Sequence, residues 1–500
     1  MHEYTSPEVT SFLEKKEAVR DKREIPLESV SETSAILRTT AEKVAEISKT
    51  WNPIEFYTAD PEGLKQEKEH FLAAFAQDEK YTPEFSYPAV ENLDVHQSKA
   101  QLQELYRLVK EQEYEKNDRR DRISRVALLA KIKDVIATCD LVVGIQTKDE
   151  KHIKHALERK YMGTDPKLLE TAHHLYAQLT QLETPTELVH TPGLYSHDEQ
   201  AFLKKTMFNA DEIKEAFVWA LEKLGIHNKG EEGFRVVIDP RATSIDVRDK
   251  TAEGPTVFIP TTRNMDGQRL LGLINHEIGS HARQSMNGVK LFQIGGGALK
   301  VDEETFYEGL AMREEEAFVT KYFGNKDNPA LPFFGRKENY SLPFYALAVE
   351  KAEEGKSFHD IFSYIHKAQL HVALKISPHE ALPPKEELPE DVDKVAQQEA
   401  WRITCRVMRG HTDMSNPEQY GLTKDLAYLR GYYLDKQLVE AGYGYINEAA
   451  VIAGGGGLRA LAEYNIQPED LPIPYRDLGN EYWEEVLKPR MLAEELKKGD

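Results

Sequence analysis

Leu270-Leu271-Gly272-Leu273-Ile274-Asn275-His276-Glu277-Ile278-Gly279-Ser280-His281 is the stretch on which the reading of this chain turns. Its apolar residues recur at helical intervals, Asn264 and Asp266 stand before it as candidate caps, and Asn287-Gly288 is the expected stop. In zinc peptidases the usual spacing is His-Glu-x-x-His, because residues four apart stand only about 40° apart around a helix and both imidazoles reach one ion. Here the second His comes five residues on, about 140° around a regular α-helix, so an unmodified helix would not bring both to one metal. A π-type bulge that absorbs the extra residue restores a shared face, and Gly279 lies where such a distortion costs least. A helix that ends near Gly279 and turns is equally open. In the plainer reading His276 and His281 are unrelated, one buried and one exposed, with Glu277 solvated, and spacing alone weighs the two readings evenly.

Phe234-Arg235-Val236-Val237-Ile238-Asp239, Ser244-Ile245-Asp246-Val247 and Thr256-Val257-Phe258-Ile259-Pro260 alternate or run apolar between turn residues, and each reads as a short strand. A small sheet therefore leads into the helix. Before the sheet, Pro185 and Thr191-Pro192-Gly193 punctuate the chain, and one helix is expected from a cap at Asp198 through Leu224, closed by Gly225. From Ser29 to Glu183 the chain is strongly charged with apolar residues three and four apart, as in Leu102, Leu105, Tyr106 and Val109, then Val126, Leu129, Ile132, Val135 and Ile136. That region should be helical. Its pairs His152 with His155 and His173 with His174 have no carboxylate at ligand spacing and read as ordinary helix residues. After Gly324 helices return, broken by the Pro-rich acidic stretch from Ser377 to Asp393, which reads as a surface loop. Neither Gly295-Gly296-Gly297 nor Gly454-Gly455-Gly456-Gly457 is followed by the Lys-Ser/Thr of a phosphate loop. The first reads as a loop passing near the site and the second as a turn before a helix from Leu458.

Five hundred residues at 40% hydrophobic and 30% charged suffice for one large core or for two to three ordinary domains. A formal charge of −21 without a sustained basic patch argues against a nucleic-acid partner, and the acidic surface reads as a solubility device. Cys139 and Cys405, the two cysteines, lie far apart and outside Cys-x-x-Cys or Cys-His spacing. This fits a reducing compartment, argues against a thiolate zinc site, and makes both read as buried small hydrophobes. The start Met1-His2-Glu3-Tyr4 shows no basic segment followed by an apolar one, and no run approaches the roughly 18 apolar residues of a membrane span. The expectation is a cytoplasmic protein without membrane insertion. Its expected fold class is α+β, predominantly helical, with a small sheet preceding a zincin-like active-site helix. Three regions are expected: a charged helical region over 1–185, a catalytic domain over 186–445 and a helical extension over 446–500.

The helix after the motif opens with Asp302-Glu303-Glu304, continues through Phe306-Tyr307-Glu308-Gly309-Leu310-Ala311 and reaches Glu314-Glu315-Glu316. Gly309 would let it approach a neighbour closely. Glu304, Glu308 and Glu315 fall near one face at steps of four and seven, and geometry does not choose among them as a third metal ligand. With His276-Glu277-Ile278-Gly279-Ser280-His281 and Tyr307-Glu308-Gly309-Leu310-Ala311 goes a third block, Arg406-Val407-Met408-Arg409-Gly410 with Thr423-Lys424-Asp425-Leu426-Ala427-Tyr428-Leu429-Arg430-Gly431. In letters, order and separation, roughly from Phe234 to Gly431, these blocks resemble the tyrosine carboxypeptidases. That family includes the microtubule-associated enzymes that remove the last tyrosine of α-tubulin, and bacterial relatives named for a Gln-Glu-Gly-Leu-Ala motif. The departures are Tyr307 for a frequent Gln or Glu, Ser280 for Thr and Met408 for Phe, which bear on the substrate pocket rather than on the chemistry.

The resemblance implies a zinc ion held by His276, His281 and Glu308, with Glu277 as the catalytic residue. Such a set leaves a coordination position open for water, whose proton Glu277 would take and pass to the leaving amine. Glu315 could orient a ligand from behind or simply be an exposed charge. A carboxypeptidase must also grip a terminal carboxylate, for which Arg406 and Arg409 are candidates, with Lys424 next and Tyr428 as a further substrate contact. Their plainer reading is structural, as partners of Asp425 or neighbouring acids. The expected activity is removal of one residue, tyrosine or another aromatic, from a peptide or protein C-terminus. An endopeptidase or amidase using the same site is the alternative, and a non-catalytic protein keeping the fold a third. The strand ending Phe258-Ile259-Pro260 is expected to offer its edge to an extended peptide.

Overall fold

The computed structural model describes residues 9–10, 12–14, 35–51, 59–87, 94–111, 119–161, 163–181, 193–227, 233–240, 242, 244–248, 254–292, 303–324, 341–411, 413–415, 417–443 and 471–499. Met1–Tyr4, Ser29, Glu183, Pro185, Thr191-Pro192, Asp302 and both glycine runs with Leu458 lie outside them, as do the side chains of Glu303, Glu304, Phe306 and Tyr307.

The fold is predominantly helical α+β. Among the described residues, the first long helices are α1 (Ala35–Thr50), α2 (Pro61–Ala76), α3 (Val95–Glu111), α4 (Arg119–Thr147), α5 (Glu150–Lys160) and α6 (Pro166–Gln181). Then follow α7 (His197–Lys205), β1 (Met207–Phe208) and α8 (Ala210–Lys223). The single helix expected from Asp198 to Leu224 is therefore two. Ser196 forms a capping box with Glu199, and Asn209 forms a second with Glu212, so the chain restarts its helix where one continuous helix was expected. Gly225, at φ 69°, follows the end of α8 as expected.

Strands β2 (Arg235–Asp239), β3 (Asp246–Arg248) and β4 (Thr256–Pro260) form a sheet ordered β2-β4-β3, with β2 parallel and β3 antiparallel to β4. The expectation that the Phe258-Ile259-Pro260 strand offers an edge fails, because β4 is central and pairs on both sides. Val257 and Ile259 are fully buried, and within this sheet it is β3 that packs against the segment bearing His276 and His281. β5 (Met265–Asp266) pairs with β1 and hands the chain to α9 (Gly267–Leu273), whose first turn is capped by Asp266. A π-helical segment, Ile274–Ala282, continues directly into α10 (Arg283–Phe292). The stop expected at Asn287-Gly288 does not occur. The Asn287 amide instead pairs sideways with the backbone of Ile473, donating to its carbonyl at 2.9 Å and accepting from its N–H at 2.7 Å.

Next come α11 (Glu303–Phe323), α12 (Leu342–Glu353), α13 (Phe358–Leu374), α14 (Glu390–Val407) and α15 (Leu426–Glu440). The Pro-rich stretch is a surface loop as read, although α14 begins at Glu390, before Asp393. The described C-terminal part holds α16 (Leu478–Tyr482), a short π turn and α17 (Lys488–Gly499). No described helix is long and apolar enough to cross a membrane.

The hydrophobic cores cross the region boundaries at 185 and 446. Leu434 and Leu438 of α15 complete the core of α1, α3 and α4. Residues of α2 and α6 share a second core with α12 to α15. A third, under the sheet and the motif helix, includes Ile473, Leu478, Trp483 and Leu487. Cys139 is buried in the first core, and Cys405 lies half-buried against the second. The helix α11 packs along α15, with Gly309 against Gly431. A Cβ on Gly309 would overlap the Gly431 carbonyl, so this approach requires glycine.

Candidate metal centre

Helical geometry would separate His276 from His281, and the backbone removes the separation. In the nine-residue run Ile274–Ala282 the hydrogen bonds run from i to i+5, so the fifth residue on stands over the first. The two imidazoles face each other with centroids 4.9 Å apart and planes at 88°. The distortion is a full π run, not a bulge confined to Gly279. A Cβ at Gly279 would make only ordinary contacts, the nearest at 3.6 Å, so steric space does not demand glycine there.

Glu308 reaches the pair from α11. Its Oε2 lies 3.7 Å from Nε2 of His276 and 3.7 Å from Nε2 of His281, in a mostly buried pocket. Behind His276, Nδ1 donates to Oε2 of Glu315 at 2.9 Å, and Oε1 of Glu315 accepts from Arg269 at 2.9 Å. That hydrogen bond places the proton of a neutral His276 on Nδ1 and leaves a lone pair on Nε2 facing a carboxylate oxygen. The Nε2 lone pair of His276 and the Glu308 carboxylate oxygen, brought together beside His281, make an electron-rich pocket that a cation would stabilise. Ligands of a tetrahedral ion at about 2.1 Å lie roughly 3.4 Å apart, close to the spacing present here, so the donor set fits a divalent metal such as zinc.

Two carboxylates compete for the third ligand position. His276, Glu277 and His281 each place a donor atom within 4.8 Å of the others. Glu308 presents one oxygen equidistant from both Nε2 atoms, while Glu277 stands next to His276 on the π segment. Glu315 is turned to His276 Nδ1 and Arg269, a supporting position. Burial pushes the Glu277 carboxyl up to about 7, with the Glu308 and Asp246 carboxylates adding and the fields of His276 and Arg269 opposing. A carboxyl titrating near neutrality is suited to accept and release a proton.

Tyr428 lies beside this group. The Glu308 carboxylate first, and burial second, hold its phenol well above the usual range, against the fields of Lys424 and Arg406, so it stays a donor. Arg406 is already engaged. Its Nε donates to Asp425 Oδ2 at 2.9 Å, Nη2 donates to Oδ1, and the guanidinium lies over the Tyr345 ring. Burial acts to raise the Asp425 carboxyl, but the Arg406 and Lys424 charges outweigh it and hold the group low. Arg409, half-buried, has no hydrogen bond or ion pair among the described residues, and its field acts on Tyr87, Cys405 and Asp425. The structure thus brings His276, Glu277, His281, Glu308 and Tyr428 together with Lys424 nearby, while Arg406 serves Asp425 and Arg409 lies a turn further on.

The N-terminal histidines are held elsewhere: His152 by Asp140, His155 by Glu158, His173 by Glu350 and His174 by Gln178. Arg269 was not singled out from the sequence, although it stands seven residues before His276, two turns back on the same face. Asn275 also passed as an ordinary helix residue. No protein-family model matches the chain, and no curated protein matches it.

Proposed function

We propose that this chain is a zinc-dependent peptidase of carboxypeptidase type, removing a C-terminal residue from a peptide or protein. The observation that carries the reading is the convergence of His276 Nε2, His281 Nε2 and Glu308 Oε2 in a pocket beside Glu277. Zinc held by these three groups would supply Lewis-acid chemistry, polarising the scissile carbonyl and acidifying a water. Glu277, a carboxyl poised near 7, would accept the proton of an attacking water and give one to the departing amine. Glu315, itself held by Arg269, fixes the tautomer and plane of His276. Tyr428 donates its phenolic hydrogen to the substrate, and Lys424 supplies positive charge for a terminal carboxylate. An extended peptide would lie along β3, at the side of the sheet nearest the π segment.

The resemblance of the three sequence blocks to tyrosine carboxypeptidases supports the same chemistry and favours an aromatic C-terminal residue. One observation favours the second reading, an endopeptidase or amidase. Arg406, the residue best shaped for a terminal carboxylate, is occupied by Asp425. Peptides with free and with amidated C-termini separate the two. Release of the last residue only from free termini, abolished in Glu277→Gln, is the result expected of the carboxypeptidase. Internal cleavage indifferent to amidation would assign the alternative, and no cleavage of either by zinc-loaded protein would overturn both.

A further inference from the structure

Long π runs are rare, because their hydrogen bonds and packing are poorer than those of an α-helix, and most are single turns at functional sites. A nine-residue run therefore needs support from outside itself. The structure shows one source. Asn275, inside the run and fully buried, accepts from Gly479 N–H at 3.0 Å and donates to Asp477 Oδ1 at 3.3 Å. Its own carbonyl accepts from the Ser280 hydroxyl at 2.9 Å, a side-chain bond spanning the same five residues as the π hydrogen bonds. The contact admits little slack, since a Cβ on Gly479 would stand 2.6 Å from the Leu271 carbonyl and 3.0 Å from Asn275 Nδ2.

The same Asp477 reaches the other ligand-bearing element. Its Oδ2 accepts from Tyr322 Oη at 2.8 Å and from Lys321 Nζ at 3.3 Å, both near the end of α11, the helix that carries Glu308 and Glu315. One carboxylate thus joins the segment bearing His276 and His281 to the helix bearing Glu308. We propose that Asn275, gripped by Asp477 and Gly479, is the positioning residue that keeps Ile274–Ala282 in π register and so holds His281 opposite His276. The proposal rests on the metal-site reading above. Relaxation of the segment to α geometry would carry His281 about 140° around the helix from His276 and remove one ligand.

The test uses the full chain, stripped of metal and titrated with Co2+, whose absorption spectrum reports ligand number and geometry. Asn275→Asp sets a carboxylate against Asp477. It should weaken Co2+ binding tenfold or more and change the spectrum. Adding Asp477→Asn removes the opposed charge and lets the new amide donate to the carboxylate introduced at position 275, at the cost of the Asn480 N–H that Asp477 Oδ1 accepts, and should recover most of the lost affinity together with the wild-type spectrum. Wild-type affinity and spectrum in Asn275→Asp would overturn the proposal while leaving the metal site standing. A wild-type chain that binds no Co2+ would instead overturn the site itself. If Asn275→Asp does not fold, Ser280→Ala takes its place, deleting one bond to the Asn275 carbonyl. Threefold weaker Co2+ binding with an unchanged thermal midpoint of the metal-free protein is the expected result, and unchanged binding contradicts the proposal.

Discussion

Glu277→Gln changes one oxygen to a nitrogen-bearing group of the same shape, and its consequence for the metal-free protein follows from burial. The folded carboxyl titrates near 7 against an ordinary 4.5, because the pocket disfavours its charge. A raised acid makes the folded chain bind its proton more tightly than the unfolded chain does. Stability therefore falls as pH rises from the ordinary value to the raised one, and the full penalty is present above about 7. Two and a half units at about 1.4 kcal/mol each make that penalty roughly 3.5 kcal/mol. Gln carries no charge and escapes it. Thermal or urea unfolding of chelator-treated protein should show Glu277→Gln more stable than wild type by that order at pH 8. The two should be alike at pH 4, where the carboxyl is protonated in both states. Because other groups titrate in both proteins, the difference between the curves is the quantity to read. A difference that stays constant from pH 4 to pH 8 would refute the assignment of a buried, charge-averse Glu277.

Gly309→Ala drives a methyl into the Gly431 carbonyl and must push α11 off α15, costing about 1–3 kcal/mol and lowering metal occupancy, measured by thermal unfolding and metal analysis. Glu315→Gln leaves the fold intact but loosens the grip on His276, with metal affinity reduced about 10–100-fold in chelator competition. Arg406→Ala strands the buried Asp425 carboxylate and should destabilise the chain by about 3–5 kcal/mol, an effect read in unfolding rather than confined to KM.

What was legible followed from local rules. Alternation marked β2, β3 and β4 to within one or two residues, because a strand's period of two survives without tertiary context. The extra residue between the imidazoles foretold either a π distortion or a break, and the backbone takes the first course. Gly309 announced a close helix approach, and Gly431 receives it. Choosing among Glu304, Glu308 and Glu315 needed the angle between two helices, which no spacing encodes. That Asn287 pairs with Ile473 instead of ending a helix depends on a segment 186 residues away. The order β2-β4-β3 likewise lies outside strand periodicity, so the central place of β4 could not be read from Phe258-Ile259-Pro260. Arg406 and Asp425 were foreseen as possible partners, but only the fold shows the fork closed on that carboxylate.

Metal analysis of the purified chain, beside His276→Ala and Glu308→Ala, bears most directly on the whole account. One zinc per chain in the wild type, lost from both variants while their helical content persists, is the predicted outcome. A wild-type chain that takes up no divalent metal, or a Glu308→Ala chain that keeps a full complement, would contradict it.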